Sequence, residues 1–415
     1  MPEELLVTGV LPRIDADGFA AVLAAAGSPA APEARASWAA VAAEGVDPLF
    51  ALAVFGHESR FGTAGLVAAY ELRNPGATRT GRTGLGEPVH VAGRGQFWRY
   101  PSWTEGFRDL ARRLVDPDFV YRRQHADTVE RIVPLWAPAS DGNDPARYVA
   151  AVRAFLAQHA RDPVPGLPLR LALLPPGARN RPGHPLRPAW VTVHETANER
   201  AGADAEAHRR FVHAGGGPEG VSFHFVVDDR VAVQLLPTIE NGWHAGDGAH
   251  GPGNRTSLAV ELCVNADGDW ERTQEHGARL VAALCRAFGL GPERVVPHQR
   301  WSGKPCPRRL LAQGFERFRA RVGELLAGEG RFFPETGQWV RGDFLAFWEQ
   351  RGGLALFGYP LTGERRESCE DGHAHWVQWF ERACFERHEE LPPGRQVLLR
   401  RLGALALARE REGER

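Results

Sequence analysis

AWVTVHETA, residues 189–197, is a β-rich run. Side chains alternate across a strand, so Thr192, His194 and Thr196 share one of its faces. Working outward, three more such runs follow: VSFHFVVDD (221–229), VAVQLLP (231–237) and SLAVELCVN (257–265). Amphipathic segments with apolar residues at three- and four-residue spacing lie among them: EAHRRFVHAG (206–215), TQEHGARLVAALCRAFG (273–289) and LAQGFERFRARVGELL (311–326). Strands alternating with helices over 189–326 predict an α/β domain with a mixed central sheet flanked by helices.

The chain has 415 residues, too many for one ordinary core, so a multidomain protein is expected. Residues 1–160 read as a helical domain, with periodic segments such as WTEGFRDLARRLVDP (103–117) and DPARYVAAVRAFLAQH (144–159) around a Gly/Arg-rich section suited to loops or a hairpin. Residues 161–188 are rich in proline and read as a linker or an extended approach segment. Residues 327–415 are aromatic-rich and predict a small α+β module, a short helix and a hairpin turning at Asp371–Gly372. A net charge of −1 predicts no nucleic-acid or membrane-surface partner. No run of about 18 apolar residues is present, so no membrane span is expected. The acidic start lacks the basic and apolar regions of a secretory signal peptide. Five cysteines, an odd and sparse set, argue against a disulfide framework; Cys369 and Cys384 are the pair placed to bridge a hairpin.

Three side chains carry metal chemistry. His194 sits inside its β-run, while His298 and Cys306 lie eight residues apart in one loop, PHQRWSGKPCP (297–307). Two imidazoles and a thiolate suit tetrahedral Zn2+ and leave one position for water. Taken singly, a strand histidine is more often a satisfied core group and a lone buried cysteine a small hydrophobe; the weight comes from their occurring together. The basic residues add a further signal. Forty-nine of fifty are arginine, and the one lysine, Lys304, stands two residues before Cys306. A lysine kept against that bias suggests a need for a compact ammonium.

Residues 189–315 resemble the type-2 zinc amidases, the superfamily of endolysin amidases and peptidoglycan recognition proteins. The pieces that carry the resemblance are VTVHETAN, SFHFVVDD, ENGWHAGDG, GNRTSLAVELCVN and HQRWSGKPCPRRL, in the family's order. The resemblance implies a peptidoglycan hydrolase that cuts the amide between N-acetylmuramic acid and L-alanine with a zinc-activated water. It implies His194, His298 and Cys306 as metal ligands, Glu261 as general base, Lys304 as oxyanion stabiliser, and His224 and His244 as substrate-side or supporting groups. The short Gly-rich loop Asn198–Gly217 departs from the family pattern and leaves substrate preference open. Two other readings stand beside the enzyme: a recognition module that binds peptidoglycan without cutting it, and a structural zinc site with His244 as fourth ligand. Action on the cell wall would call for another export route, a precursor segment, or release on lysis.

Residues 46–136 resemble the glucosaminidase domains of cell-wall hydrolases, which have a lysozyme-like helical fold. The resemblance rests on ESRFGTAG, RNPGATRTGRTG and FWRYPSWTEGFRDLARRL. It implies Glu58 as catalytic acid and a second, N-acetylglucosaminidase activity. Glu87 is the candidate for a partner carboxylate; an ordinary helix-end role for Glu58 is the alternative. In the tail, LALFGYPLTGE and VQWFERACFE resemble LGFP-type repeats. Trp348, Phe357, Tyr359, Trp376 and Trp379 could stack on sugars, though filling a small core is the simpler role.

Overall fold

The computed structural model describes residues 4–82, 84–327, 331–333, 335–336, 338–392 and 395–404. The chain divides into two compact units, residues 1–322 and 323–415. In the larger unit the helix Pro48–Ser59 has every residue from Pro48 to Phe55 buried, and a helix apolar all round belongs at the centre of a bundle. The Asp47 carboxylate caps it by accepting from the Leu49 N–H at 3.1 Å. Its Phe55 meets Trp103 and Phe107, on the helix Trp103–Val115, at centroid distances of 5.1 and 5.3 Å. The helix Pro145–His159 packs alongside. A hairpin of β1 (Glu87–Val91) and β2 (Gly95–Arg99) occupies the Gly/Arg-rich section.

Six strands form the sheet of this unit: β3 (Leu169–Leu171), β4 (Trp190–Glu195), β5 (Phe225–Val227), β6 (Ala232–Gln234), β7 (Ser257–Leu262) and β8 (Val295–Pro297). Their order is β3-β6-β5-β7-β4-β8, and every neighbouring pair is parallel except β5–β6. The expected mixed sheet is thus present, with helices on it. The helix Ala205–His213 covers one face, where Ala205 and Val212 join Ala259 and Cys263. The helix Trp270–Phe288 covers the other. A Cβ added at its Gly277 would stand 2.5 Å from Leu262 Cδ2, so glycine is what lets this helix approach. The β7 face bearing Ala259, Glu261 and Cys263 is therefore not a solvent face. β3 lies inside the proline-rich 161–188 segment and β8 in the loop before His298. Each is three residues long and is held by its neighbour's ladder rather than by a period of its own.

Segments 1–160 and 189–326 lie in the same compact unit, and a polar seam joins them. The Gly9 carbonyl accepts from the Gln234 side chain at 2.6 Å and from the Thr238 N–H at 3.0 Å. Arg122, from the helical part, and Arg181 both pair with the Glu240 carboxylate. Glycine is required at this seam. Gly9 has φ +68°, and a Cβ there would lie 2.6 Å from Pro237 Cβ.

In the smaller unit β9 (Arg331–Phe333) pairs with β10 (Gln338–Val340). The helices Gly342–Gln350 and Gly353–Phe357 follow. A four-stranded antiparallel sheet comes last, β11 (Arg365–Ser368), β12 (Ala374–Trp379), β13 (Cys384–Arg387) and β14 (Val397–Leu399). The Asp371–Gly372 turn joins β11 to β12, with Gly372 at φ +82°. Trp348 and Phe357 are buried with Phe344, Phe380 and Phe385, so these two fill the core. Tyr359, Trp376 and Trp379 are half-buried. The Cys369–Cys384 bridge does not form: all five cysteines are free, and Cys384 is buried in β13.

Gly9→Ala should destabilise the protein by about 2–4 kcal/mol, from a left-handed backbone and an overpacked seam together. Denaturant melts of the full chain measure it. A melting curve that overlays wild type would show that the seam tolerates a side chain.

Candidate metal centre

The central geometric fact is a register. β4 and β7 run parallel with His194 directly opposite Glu261, and Thr192 opposite Ala259. Both lie toward the carboxyl ends of their strands, where parallel sheets open to ligands. β8 pairs with the other side of β4 and delivers His298 immediately after its last residue, the His298 N–H bonding the Val193 carbonyl at 3.2 Å. The loop then returns Cys306 to the same point. His194 Nδ1 stands 3.1 Å from His298 Nδ1 and 4.0 Å from Cys306 Sγ. All three side chains are buried, and together they form a group able to hold a metal ion.

The outer nitrogen of each ring is engaged, which orients the inner one. His298 Nε2 lies 2.9 Å from the Ala245 carbonyl and 3.0 Å from Ser302 Oγ. The carbonyl can only accept, so Nε2 carries the proton and Nδ1 keeps a lone pair. His194 Nε2 lies 3.1 Å from His244 Nδ1. His244 thus touches the ring nitrogen of His194 that is turned away from His298 and Cys306. It also lines an open cleft with Trp243, Asn254 and Lys304. His224 is placed differently. It is fully buried; its Nδ1 accepts from the Ala259 N–H at 3.0 Å and its Nε2 donates to the Glu240 carbonyl at 2.8 Å. Both ring nitrogens of His224 are thus bonded to main chain.

The electrostatics ask for a cation. Burial, then the neighbouring His244, His298 and Lys304, holds the His194 pKa well below its ordinary value. Burial also lowers that of His298. Neutral imidazoles are ligand-competent. Burial pushes Glu261 up to about 8, against the lowering effect of Lys304. It pushes Cys306 up to about 12, with Glu261 adding to the rise. A dication held here would supply the positive charge that lets both acids ionise. Glu261 Oε1 is 3.8 Å from His194 Nδ1, and Oε2 is buried with no partner. Tetrahedral zinc ligands at about 2.0–2.3 Å from the metal stand roughly 3.3–3.6 Å apart. The separations of 3.1 and 4.0 Å bracket that range, so the residues fit zinc.

Side chains that the sequence did not single out hold these loops. Trp301 Nε1 donates to Thr192 Oγ1 at 2.8 Å, and Thr192 also bonds Ser257 Oγ at 2.8 Å. Asn254 Oδ1 accepts from the His244 and Ala245 N–H groups at 2.8 and 2.9 Å. The Glu195 carboxylate accepts from the Leu310 N–H at 3.0 Å. A Gly/Asn-rich stretch before β7 is the sequence signal that could have found Asn254. Lys304 is exposed at the mouth.

Elsewhere in this unit Glu58 ends the central helix. Its Oε1 accepts from Tyr148 OH at 2.9 Å and Trp136 Nε1 at 3.2 Å. Burial raises its pKa, and those two bonds oppose the rise. Glu87 lies on β1, exposed, 3.5 Å from Arg99. Among the described residues, no carboxylate is recorded in contact with Glu58.

The model of the N-acetylmuramoyl-L-alanine amidase family matches residues 184–309. The chain is 50% identical over 138 residues to the N-acetylmuramoyl-L-alanine amidase CwlH of Bacillus subtilis, covering 33% of this chain and 54% of that protein. It is 46% identical over 151 residues to the amidase XlyA of the same organism, covering 36% and 49%. The chain thus spans about half the length of these curated relatives. The solved catalytic domain of XlyA is 44% identical, with 38% of this chain and 100% of that one covered and a TM-score of 0.36. Residues 184–309, which hold His194, Glu261, His298, Lys304 and Cys306, belong to the type-2 N-acetylmuramoyl-L-alanine amidase family.

Proposed function

We propose that this chain is a zinc-dependent N-acetylmuramoyl-L-alanine amidase acting on the peptidoglycan of the cell wall. The observation that carries the proposal is the largely buried carboxylate of Glu261, whose Oε2 is buried and unpartnered, set against His194, His298 and Cys306. Those three residues would hold zinc, which supplies a Lewis acid and an acidified water. Glu261 takes the proton of the attacking water as its oxygen bonds to the lactyl carbonyl carbon. The same carboxyl returns that proton to the alanine nitrogen as the C–N bond breaks. A carboxyl whose pKa burial has raised is matched to this exchange. The Lys304 ammonium stands at the mouth, where it can balance charge growing on the carbonyl oxygen. His244 holds His194 in place, and the cleft beside it admits the stem peptide.

Lys304→Ala should keep its zinc and lose about 3–4 kcal/mol of transition-state stabilisation, mostly as kcat. Lys304→Arg should restore only part, because a planar fork cannot place one compact charge at the same point. The readouts are new L-alanine amino groups from purified cell wall, and bound zinc. Full activity in Lys304→Arg would make the lone lysine a compositional accident, and zinc loss in Lys304→Ala would give it a structural role. Cys306→Ser should lose zinc and activity together. A wild-type protein that binds wall but releases no amino groups would instead be the recognition module.

A second reading rests on Glu58. A carboxyl with a raised pKa, held by Tyr148 and Trp136, suits a glycosidic acid, and we propose that the helical part is a lysozyme-like N-acetylglucosaminidase. Glu58 must be protonated to donate, so glycan cleavage should fall as pH rises through its raised pKa. Glu58→Gln should abolish new reducing ends and leave the release of amino groups unchanged. If wild type makes no reducing ends, this part binds glycan without cutting it.

A further inference from the structure

We propose that the smaller unit carries a second divalent-metal site, built from Asp371, His375 and His388 and suited to zinc or a similar borderline transition metal. Each of the three offers one ligand atom, and these atoms lie within 4.8 Å of one another. The sheet register puts them together. β12 and β13 pair Trp376 with Arg387, so His375 and His388 are the next residues beyond that pair at the same edge. Their rings lie 4.0 Å apart between centroids, tilted by 32°. The β11–β12 turn brings Asp371 over them, its Oδ2 2.6 Å from His375 Nε2. His375 is buried at 7% exposure, and the His388 side chain is 12% exposed.

Two features favour a metal over a plain ion-pair cluster. Two imidazoles this close repel each other if both are protonated, whereas one dication accepts a lone pair from each. The surroundings are also acidic. Glu390 Oε1 lies 2.9 Å from His388 Nδ1, and Glu386 Oε2 lies 3.5 Å from His388 Nε2. Arg400 offsets Glu386 through its other oxygen, at 2.7 Å, so Asp371 and Glu390 are the acids left to balance a cation. Two nitrogens and a carboxylate oxygen form a donor set that zinc accepts in tetrahedral geometry with one position open.

The test is titration of metal-free full-length protein with Zn2+ against a chromophoric chelator. Wild type should take up two equivalents, His388→Gln one, and Cys306→Ser one, the equivalent it keeps being the one His388→Gln loses. Asp371→Asn, in an exposed turn that should still fold, should weaken that equivalent by at least about 100-fold. If the amidase-site reading fails, wild type takes one equivalent, which His388→Gln abolishes and Cys306→Ser does not. If Zn2+ uptake is the same in wild type, His388→Gln and Asp371→Asn, the cluster is an ion-pair network and the proposal is overturned.

Discussion

The parallel register that sets His194 opposite Glu261 is the constraint on which the larger unit depends. Side chains on a strand alternate, so a slip of one residue in β4 or β7 would send one of the pair to the opposite face. The register is fixed by apolar neighbours. Val191, Val193, Leu258, Val260 and Leu262 are all fully buried, and none can be turned outward without loss of core. Two polar groups are thus forced together inside a dry sheet, where each is costly unless it finds a partner. The loop from His298 to Cys306 closes over them. Trp301 bonding back to Thr192 ties that loop to the strand that bears His194.

Much of this was legible in the sequence, because the relevant signals are local. The β-run around His194 and the alternation through SLAVELCVN place their polar residues on definite faces, and the eight-residue spacing of His298 and Cys306 fits one loop. Other features were not legible, for reasons that can be named. β3 and β8 are too short to show a period, and both run beside prolines. His224 looks like any motif histidine until both its nitrogens are found on main-chain partners from separate segments. Asn254 works through its amide on two backbone N–H groups, a role for which composition has no marker beyond loop character. Cys369 and Cys384 suggested a bridge by their place around a hairpin. The structure gives Cys384 to the core and turns Cys369 toward Arg400 and the Glu367 carbonyl.

The placement of charge follows the same logic as the placement of apolar mass. Glu261 is largely buried and Lys304 is exposed, although both lie beside the same cluster of His194, His298 and Cys306. An ammonium buried beside a bound dication would meet both desolvation and like-charge repulsion. At the mouth it keeps its water and still lies close enough to lower the pKa values of Glu261 and His194. A flexible four-carbon stem allows that compromise. Forty-nine arginines elsewhere show what this chain uses where reach and compactness are not at issue.

Glu240 connects the helical part of the larger unit to the candidate metal centre. Its carboxylate is held by Arg122, from the helical part, and by Arg181, from the segment leading into the sheet. Its main-chain carbonyl accepts from His224, and the other nitrogen of His224 accepts from the Ala259 N–H. Ala259 and Glu261 occupy the same face of β7, two residues apart. Each link is a hydrogen bond or ion pair to a largely buried group, where a missing partner costs more than a formed bond gains. The strand bearing Glu261 is therefore braced through its Ala259 main chain. The seam at Gly9 and Gln234, on β6, brings the helical part and the sheet into contact. Precision at the open face depends on this support, because a carboxylate that must face two imidazoles and a cysteine sulfur cannot sit on a strand free to shift.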